Sequence, residues 1–190
     1  MGGRKKVACP LFVENEEDTE GKKVGEMTSE VMIREVRQEE CEVAADIAVE
    51  AWEGIYEGYR ASLGEDLYEA VHANWRKKKR GDILRMCGQE EDKQVRVAEA
   101  AGEVVGFVTF SLNAESLVGQ IVNMAVRSDQ RGKGIAGRLL DRAMAELKGK
   151  RARAVVVRTG LDAAHAPARR CYEKAGFEVR LDKTIYVKRL

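Results

Sequence analysis

No Cys-x-x-Cys pair occurs in this chain. Its four cysteines, Cys9, Cys41, Cys87 and Cys171, are widely scattered, and only His72 and His165 could join them at a metal. The spacing of a structural zinc site is therefore missing, no metal is expected, and the pattern reads as reduced thiols. Long apolar runs are missing too. Nothing approaches the roughly 18 residues of a membrane span, and no secretory apolar region follows the basic start. Gly2 is present, but Lys6 stands where an N-myristoylation signal needs Ser or Thr. Nor is there a surplus of one charge. The 33 Lys and Arg against 32 Asp and Glu leave a formal net charge of +1, which gives no global pull toward nucleic acid or an anionic membrane.

What remains is ordinary for a globular protein of the cytoplasm: 190 residues, 44% hydrophobic and 34% charged, enough to bury one sizeable core. Residues 1–30 read as an N-terminal extension. From Val13 to Glu30 they are rich in Glu, Lys, Gly and Thr with little periodicity, a composition that cannot bury enough apolar area to order itself. VACPLFV is the one stretch there with the makings of a short strand. The domain is expected to occupy residues 31–190, starting with a strand over Ile33–Val36. From Glu39 the period changes to 3.6, with Val43, Ile47, Ala48, Ala51, Trp52 and Ile55 on one face. That is a helix of about four turns. A second helix is expected from Glu65 to Arg80, with Leu67, Val71 and Trp75 inward and Gly81 just past its end. Its terminal run Arg76-Lys-Lys-Lys-Arg80 reads as solvated cations complementing the helix dipole rather than as a nucleic-acid patch. His72, on this helix, has no identifiable partner in the sequence.

Three strands follow. VRVAEA turns at Ala101-Gly102 into VVGFVTFSL, and after Asn113–Leu117 the chain enters GQIVNMAV. This meander delivers Arg131-Gly-Lys-Gly-Ile-Ala-Gly137 to a helix with Ile135, Leu139, Leu140, Ala143, Met144 and Leu147 inward. Arg138, Asp141, Arg142 and Glu146 point outward, and Gly149 ends it. A glycine turn between strand and helix makes an anion site. The first helical N–H groups lack intrahelical partners, the dipole adds roughly half a positive charge, and glycine lets main chain come close. AVVV at Ala154–Val157 is apolar throughout, as a strand in parallel pairing is, so one right-handed crossover joins it to the strand before the turn. Pro167 suits the first turn of a last helix and Gly176 its end. FEVRL and IYVKRL read as a final hairpin around Asp182-Lys183.

The turn satisfies two patterns. Gly132, Gly134 and Gly137 spell the dinucleotide fingerprint G-x-G-x-x-G, which keeps an NADP-binding protein as an alternative. That pattern expects an acidic residue about 20 positions on and further β-α-β units. Here the next strand ends in Arg158, and too little chain follows for the missing strands. Arg131, Gly134 and Ala136 also spell R-x-x-G-x-A, and His165–Phe177 reads HAPARRCYEKAGF, with Ala168, Tyr172, Lys174, Gly176 and Phe177 spaced as N-x-x-A-x-x-x-Y-x-K-x-G-F. This pair of motifs resembles the GCN5-related N-acetyltransferases (GNAT). His165 stands where that family usually has Asn, and Cys171 where it has Leu or Phe.

The resemblance implies an α/β (α+β) GNAT fold: a mixed, mostly antiparallel sheet of about six to seven strands with one parallel splayed pair, and about four helices. It implies acetyl-CoA as co-substrate, with the pantetheine arm along Met124, Ala125 and Val126 and the pyrophosphate on Arg131, Gly132, Lys133, Gly134, Ile135 and Ala136. His165 would contact the coenzyme or backbone. Tyr172 would meet the sulfur as acetyl transfer passes through a tetrahedral species and expels a thiolate, which a phenol can assist. The acceptor is a primary amine. The histone-type glutamate base would align with Gln120, which cannot take a proton. Glu103, Glu115 and a water held by Asn123 remain as bases, the water preferred. A lysine amine is less than about 0.1% neutral at pH 7 and an α-amine roughly 10%. Peptide α-amines are therefore favoured over small amines, and the phrase VNMAV with QRGKGIA is similar to the branch acting on ribosomal-protein N-termini. Glu53, Tyr56, Glu57 and Tyr59 are candidates to receive the amine. A non-catalytic acyl-CoA-binding module is the other alternative, and a second copy of the chain is a candidate partner.

Overall fold

The computed structural model describes residues 30–88 and 93–189. The expected N-terminal extension, with VACPLFV and Cys9, lies outside the described residues.

Among the described residues, five strands form one sheet in the order β1-β2-β3-β4-β5. They are β1 Met32–Glu35, β2 Lys93–Ala100, β3 Glu103–Asn113, β4 Val118–Val126 and β5 Ala154–Val157. β1 to β4 run antiparallel and β5 parallel to β4. Ala101 and Gly102, both at positive φ (52° and 80°), turn β2 into β3, the geometry that matches strand twist in a two-residue hairpin. Helices α1 (Cys41–Leu63), α2 (Glu65–His72) and α3 (Trp75–Cys87) precede the meander, α4 (Ile135–Gly149) makes the crossover and α5 (Ala166–Lys174) follows β5.

Each face of the sheet carries a core. On one, Ile135, Leu139, Leu140, Ala143 and Leu147 of α4 cover Val105, Val108, Phe110 and Ile121, with Tyr172 of α5 joining. On the other, Cys41, Ala44, Ala45, Ile47 and Ala48 of α1 and Ile83 and Cys87 of α3 cover Val97, Phe107 and Ala125. Cys87, buried beside Cys41, has its thiol pushed up to about 12, chiefly by burial. Glu146, expected outward, reaches Arg96 instead, and its carboxylate accepts two hydrogen bonds of 2.8 and 2.7 Å from that guanidinium.

Three expectations need correction. The helix predicted over Glu65–Arg80 is two helices broken at Ala73-Asn74, and Gly81 lies inside α3 rather than ending it. A mid-helix glycine costs only about 1 kcal/mol, and burying Ile83 completely beyond it outweighs that cost. The first helix is longer than four turns, running 23 residues to Leu63 after a 3-10 turn at Gln38–Glu40. Finally, among the described residues the sheet has five strands, not six or seven: residues 177–189 form no strand. Val179, Leu181, Ile185 and Tyr186 are 84–92% exposed. Alternation specifies a face but not a partner. Asp182-Lys183 also lacks the glycine that a tight hairpin turn favours, and Arg180 pairs locally with Asp182 at 2.7 Å.

Candidate active site

β4 and β5 are paired only from Val118↔Ala154 to Ile121↔Val157. Beyond Ile121 the strands part, so the main chain of residues 122–126 has no strand beside it on that flank. β4 also carries a bulge. Thr109 pairs with Asn123 but Phe110 with Ile121, leaving Val122 as the extra residue. One extra residue reverses which side chains face which layer. Ile121 packs under α4 while Asn123 and Ala125 face α1 and α3.

At the end of β4 a 3-10 turn, Ser128–Gln130, leads to Arg131, whose Nε donates to the Val126 carbonyl at 3.0 Å. Gly132 and Gly134 are both left-handed (φ 79° and 77°), and Gly134 is the N-cap of α4. A Cβ added at either would meet nothing within 4 Å. These glycines are thus required by backbone conformation, and the space above them is open to a ligand. The unsatisfied N–H groups of the first turn of α4 face that space, so the turn fits a pyrophosphate.

A cavity of about 500 Å³ joins these parts. Among the expected site residues, Met124, Ala125, Val126, Arg131, Gly132, Gly134, Ile135, Ala136, His165 and Tyr172 line it. Lys133 does not; its Nζ donates to Gln130 Oε1 at 2.8 Å. Tyr172 is 9% exposed, its ring edge-on to Phe177 at 5.8 Å. Burial, with Cys171 adding to it, pushes its phenol up to about 12. His165 sits at the N-cap of α5, where its N–H and Nδ1 meet Asp162 Oδ1 and Oδ2 at 3.1 and 2.6 Å. Burial opposes the Asp162 charge, but these contacts outweigh it and hold the carboxyl below its usual range.

Several candidates are elsewhere. Gln120, Glu103 and Glu115 do not line the cavity. Glu103 accepts from Arg127 at 2.9 Å, and the Glu115 N–H is held by Asn113 Oδ1 at 3.1 Å. Glu53, Tyr56 and Glu57 line a separate cavity of about 250 Å³ with Arg60, Tyr68, Trp75 and Arg76. There Tyr56 stacks on Trp75 at 4.0 Å, and Glu53 is paired with Arg76. Tyr59 lines neither and stacks on His72 at 5.4 Å. His72, partnerless in the sequence, is packed among the rings of Tyr56, Tyr59 and Tyr68.

Lys79 is among the cavity residues that sequence reasoning missed. Lys79, read as part of a solvated run, turns inward while Arg76, Lys77 and Lys78 stay exposed. Its Nζ donates to Asn123 Oδ1 at 3.1 Å and lies 4.2 Å from the Trp52 ring centre. The signal that finds it is helical phase: Lys79 lies one turn from Trp75 and from Ile83, both buried.

The family model described as the acetyltransferase (GNAT) family matches residues 52–177. No curated protein sequence matches the chain. Among solved structures, the PaiA N-acetyltransferase from Thermoplasma acidophilum in complex with coenzyme A is 20% identical with a TM-score of 0.64, over 80% of this chain and 91% of that one. A ribosomal-protein-alanine N-acetyltransferase from Brucella melitensis biovar Abortus 2308 is 21% identical with a TM-score of 0.54, over 85% of this chain and all (100%) of that one. AAC(6')-Iy in complex with the bisubstrate analogue CoA-S-monomethyl-acetylneamine is 18% identical with a TM-score of 0.59, over 85% and 100%. At these identities the likeness is one of fold.

Proposed function

The chain belongs to the acetyltransferase (GNAT) family, and from that premise we propose that it is an N-acetyltransferase that uses acetyl-CoA to acetylate an α-amine by direct attack. The observation that carries this reading is the single cavity running from the Gly132–Gly134 turn along the unpaired flank of β4 to Tyr172. It offers main-chain N–H groups for a pyrophosphate at one end, an unpaired strand edge for an extended arm in the middle and one buried phenol beyond. One parallel crossover after the turn, rather than a doubly wound sheet, does not support the NADP alternative.

Bound acetyl-CoA supplies a thioester carbonyl. The acceptor nitrogen forms the C–N bond, the C–S bond breaks, and the sulfur leaves with the electron pair. Tyr172 donates a hydrogen bond to that sulfur. Its phenol, at about 12, is some three units less acidic than a thiol near 8.5, so complete proton transfer from the free phenol is uphill. Its contribution is a positioned donor that strengthens as charge develops on sulfur. The amine proton leaves to water held by the second lone pair of Asn123 Oδ1 and by main-chain carbonyls of β4. Among the described residues, no carboxylate lines the cavity to take it. An acceptor already roughly 10% neutral at pH 7 needs no strong base, which favours an α-amine over a lysine side chain.

The test is free-thiol release from acetyl-CoA by the purified protein with a panel of peptides and small amines. Acceptor-dependent release that Tyr172→Phe reduces supports the proposal. Coenzyme A binding without turnover on any acceptor leaves only a binding module.

A further inference from the structure

The charged side chains that line the main cavity are all basic. Among the described residues, Lys79, Arg131 and Arg158 face it together with His165, and no Asp or Glu does. Arg131 belongs to the glycine turn. Lys79 is at the opposite end, because the lining of β4 runs from Val126 back through Met124 to Asn123 and Val122, and Lys79 touches Asn123. It therefore stands where the acceptor approaches, beyond the coenzyme arm.

Lys79 differs from the other cations of its run. Arg76 pairs with Glu53, and Arg80 with Glu42 and Asp46. None of the ion pairs among the described residues includes Lys79. Its contacts are an amide oxygen and the face of Trp52, both of which favour the charged form. Burial, with Asp82 opposing and Lys78 assisting, lowers its pKa from the ordinary lysine value. A half-buried ammonium with three donors, one of them given to Asn123, has capacity left for an anion. The same charge repels a polycation at the cavity mouth, and like-charge opposition is an effective way to reject a wrong partner.

We infer that the acceptor is an α-amine carrying a nearby carboxylate, which Lys79 binds while Trp52 and Asn123 hold its ammonium in place. The inference rests on the cavity being an acetyl-transfer site and adds the acceptor's class. Two sources share the chemistry: a peptide whose first residue is acidic, and a free α-amino acid, whose own carboxylate makes its amine more basic and leaves less of it neutral at pH 7.

The experiment measures thiol release, at equal concentrations of neutral amine, for pairs matched except for the carboxylate: a free amino acid against its amide, and an Asp-initiated peptide amide against its Asn-initiated twin. Spermidine is the polycationic control. The expected result is a kcat/KM at least tenfold higher for the carboxylate member of one pair, which also identifies the source, and weak turnover of spermidine. In Lys79→Gln that ratio falls to within about threefold of unity, and Lys79→Arg retains part of it. A merely structural role would slow both twins alike and leave the ratio intact. Coenzyme A titration of each variant verifies folding, and if Lys79→Gln does not fold, the wild-type ratios and Lys79→Arg still decide. Ratios near one in both wild-type pairs, a ratio unmoved by Lys79→Gln, or spermidine as the best acceptor would overturn the inference and leave acetyl transfer standing. Thiol release with no acceptor at all would sink the transfer reading and this one with it.

Discussion

Arg96, on β2, and Glu146, on α4, clasp each other across the core through two parallel hydrogen bonds. The Arg96 side chain is 8% exposed and that of Glu146 18%. Arg142 donates to the same carboxylate at 2.6 Å. Burial disfavours the Glu146 charge, yet these two cations hold its carboxyl below the ordinary value of 4.5. The clasp fixes the crossover helix whose first turn builds the glycine site.

Glu146→Gln should therefore lower stability at pH 7 by about 2 kcal/mol, the scale of hydrogen bonds to a charged group. A carboxyl whose folded pKa is depressed stabilises above its unfolded pKa and loses that contribution as pH falls through the folded value. The difference in urea midpoint between wild type and variant should be full near neutrality and narrow below pH 4.5.

Gly134→Val should weaken coenzyme A binding more than Arg131→Ala does. At Gly134 a β-branched side chain must adopt φ near 77°, a strain of about 1–2 kcal/mol that moves the amides. At Arg131 the side chain braces the Val126 carbonyl, and its loss leaves the main chain in place. Calorimetric titration should show at least a tenfold loss for the first and a smaller one for the second.

Tyr172→Phe should reduce kcat by about 100-fold with little change in the KM for acetyl-CoA, the signature of a donor whose bond strengthens in the transition state. An equal loss in both parameters, or none in either, would place Tyr172 in packing alone.

With a peptide α-amine acceptor, kcat/KM should rise close to tenfold per pH unit below about pH 7, bend near pH 8 and then level off, following the neutral fraction of the amine. No alkaline decline should come from Tyr172 below pH 11, because its phenol titrates near 12. An optimum between pH 6 and 7 would point to a titrating base in the enzyme.

The glycine turn and the tyrosine segment were legible because their chemistry is local: left-handed glycines at a helix start, and an aromatic one turn from an inward alanine. Lys79 was not, because its neighbours at 76, 77 and 78 are solvated and charge alone does not reveal which member of a run falls at the phase of Trp75 and Ile83. The acidic candidates failed for the opposite reason. Glu53 is spent on Arg76 and Glu103 on Arg127, pairings between residues distant in sequence that local pattern does not contain. The C-terminal alternation predicted strands because period 2 records faces, whereas a strand exists only where an edge accepts it. Gly81 does not stop its helix, because propensity is weak beside the burial of Ile83.

Val122 sets the two halves of β4 out of phase. Counted by alternate residues from Gly119 and Ile121, Asn123 would belong under α4 with the core. The extra residue transposes it into the cavity, in contact with Thr109 and Lys79. The identity of the acceptor end thus depends on chain count as much as on side-chain type. Removing Val122 would exchange the two sides of the strand from Asn123 onward, although Asn123, Met124, Ala125 and Val126 would all remain in the chain.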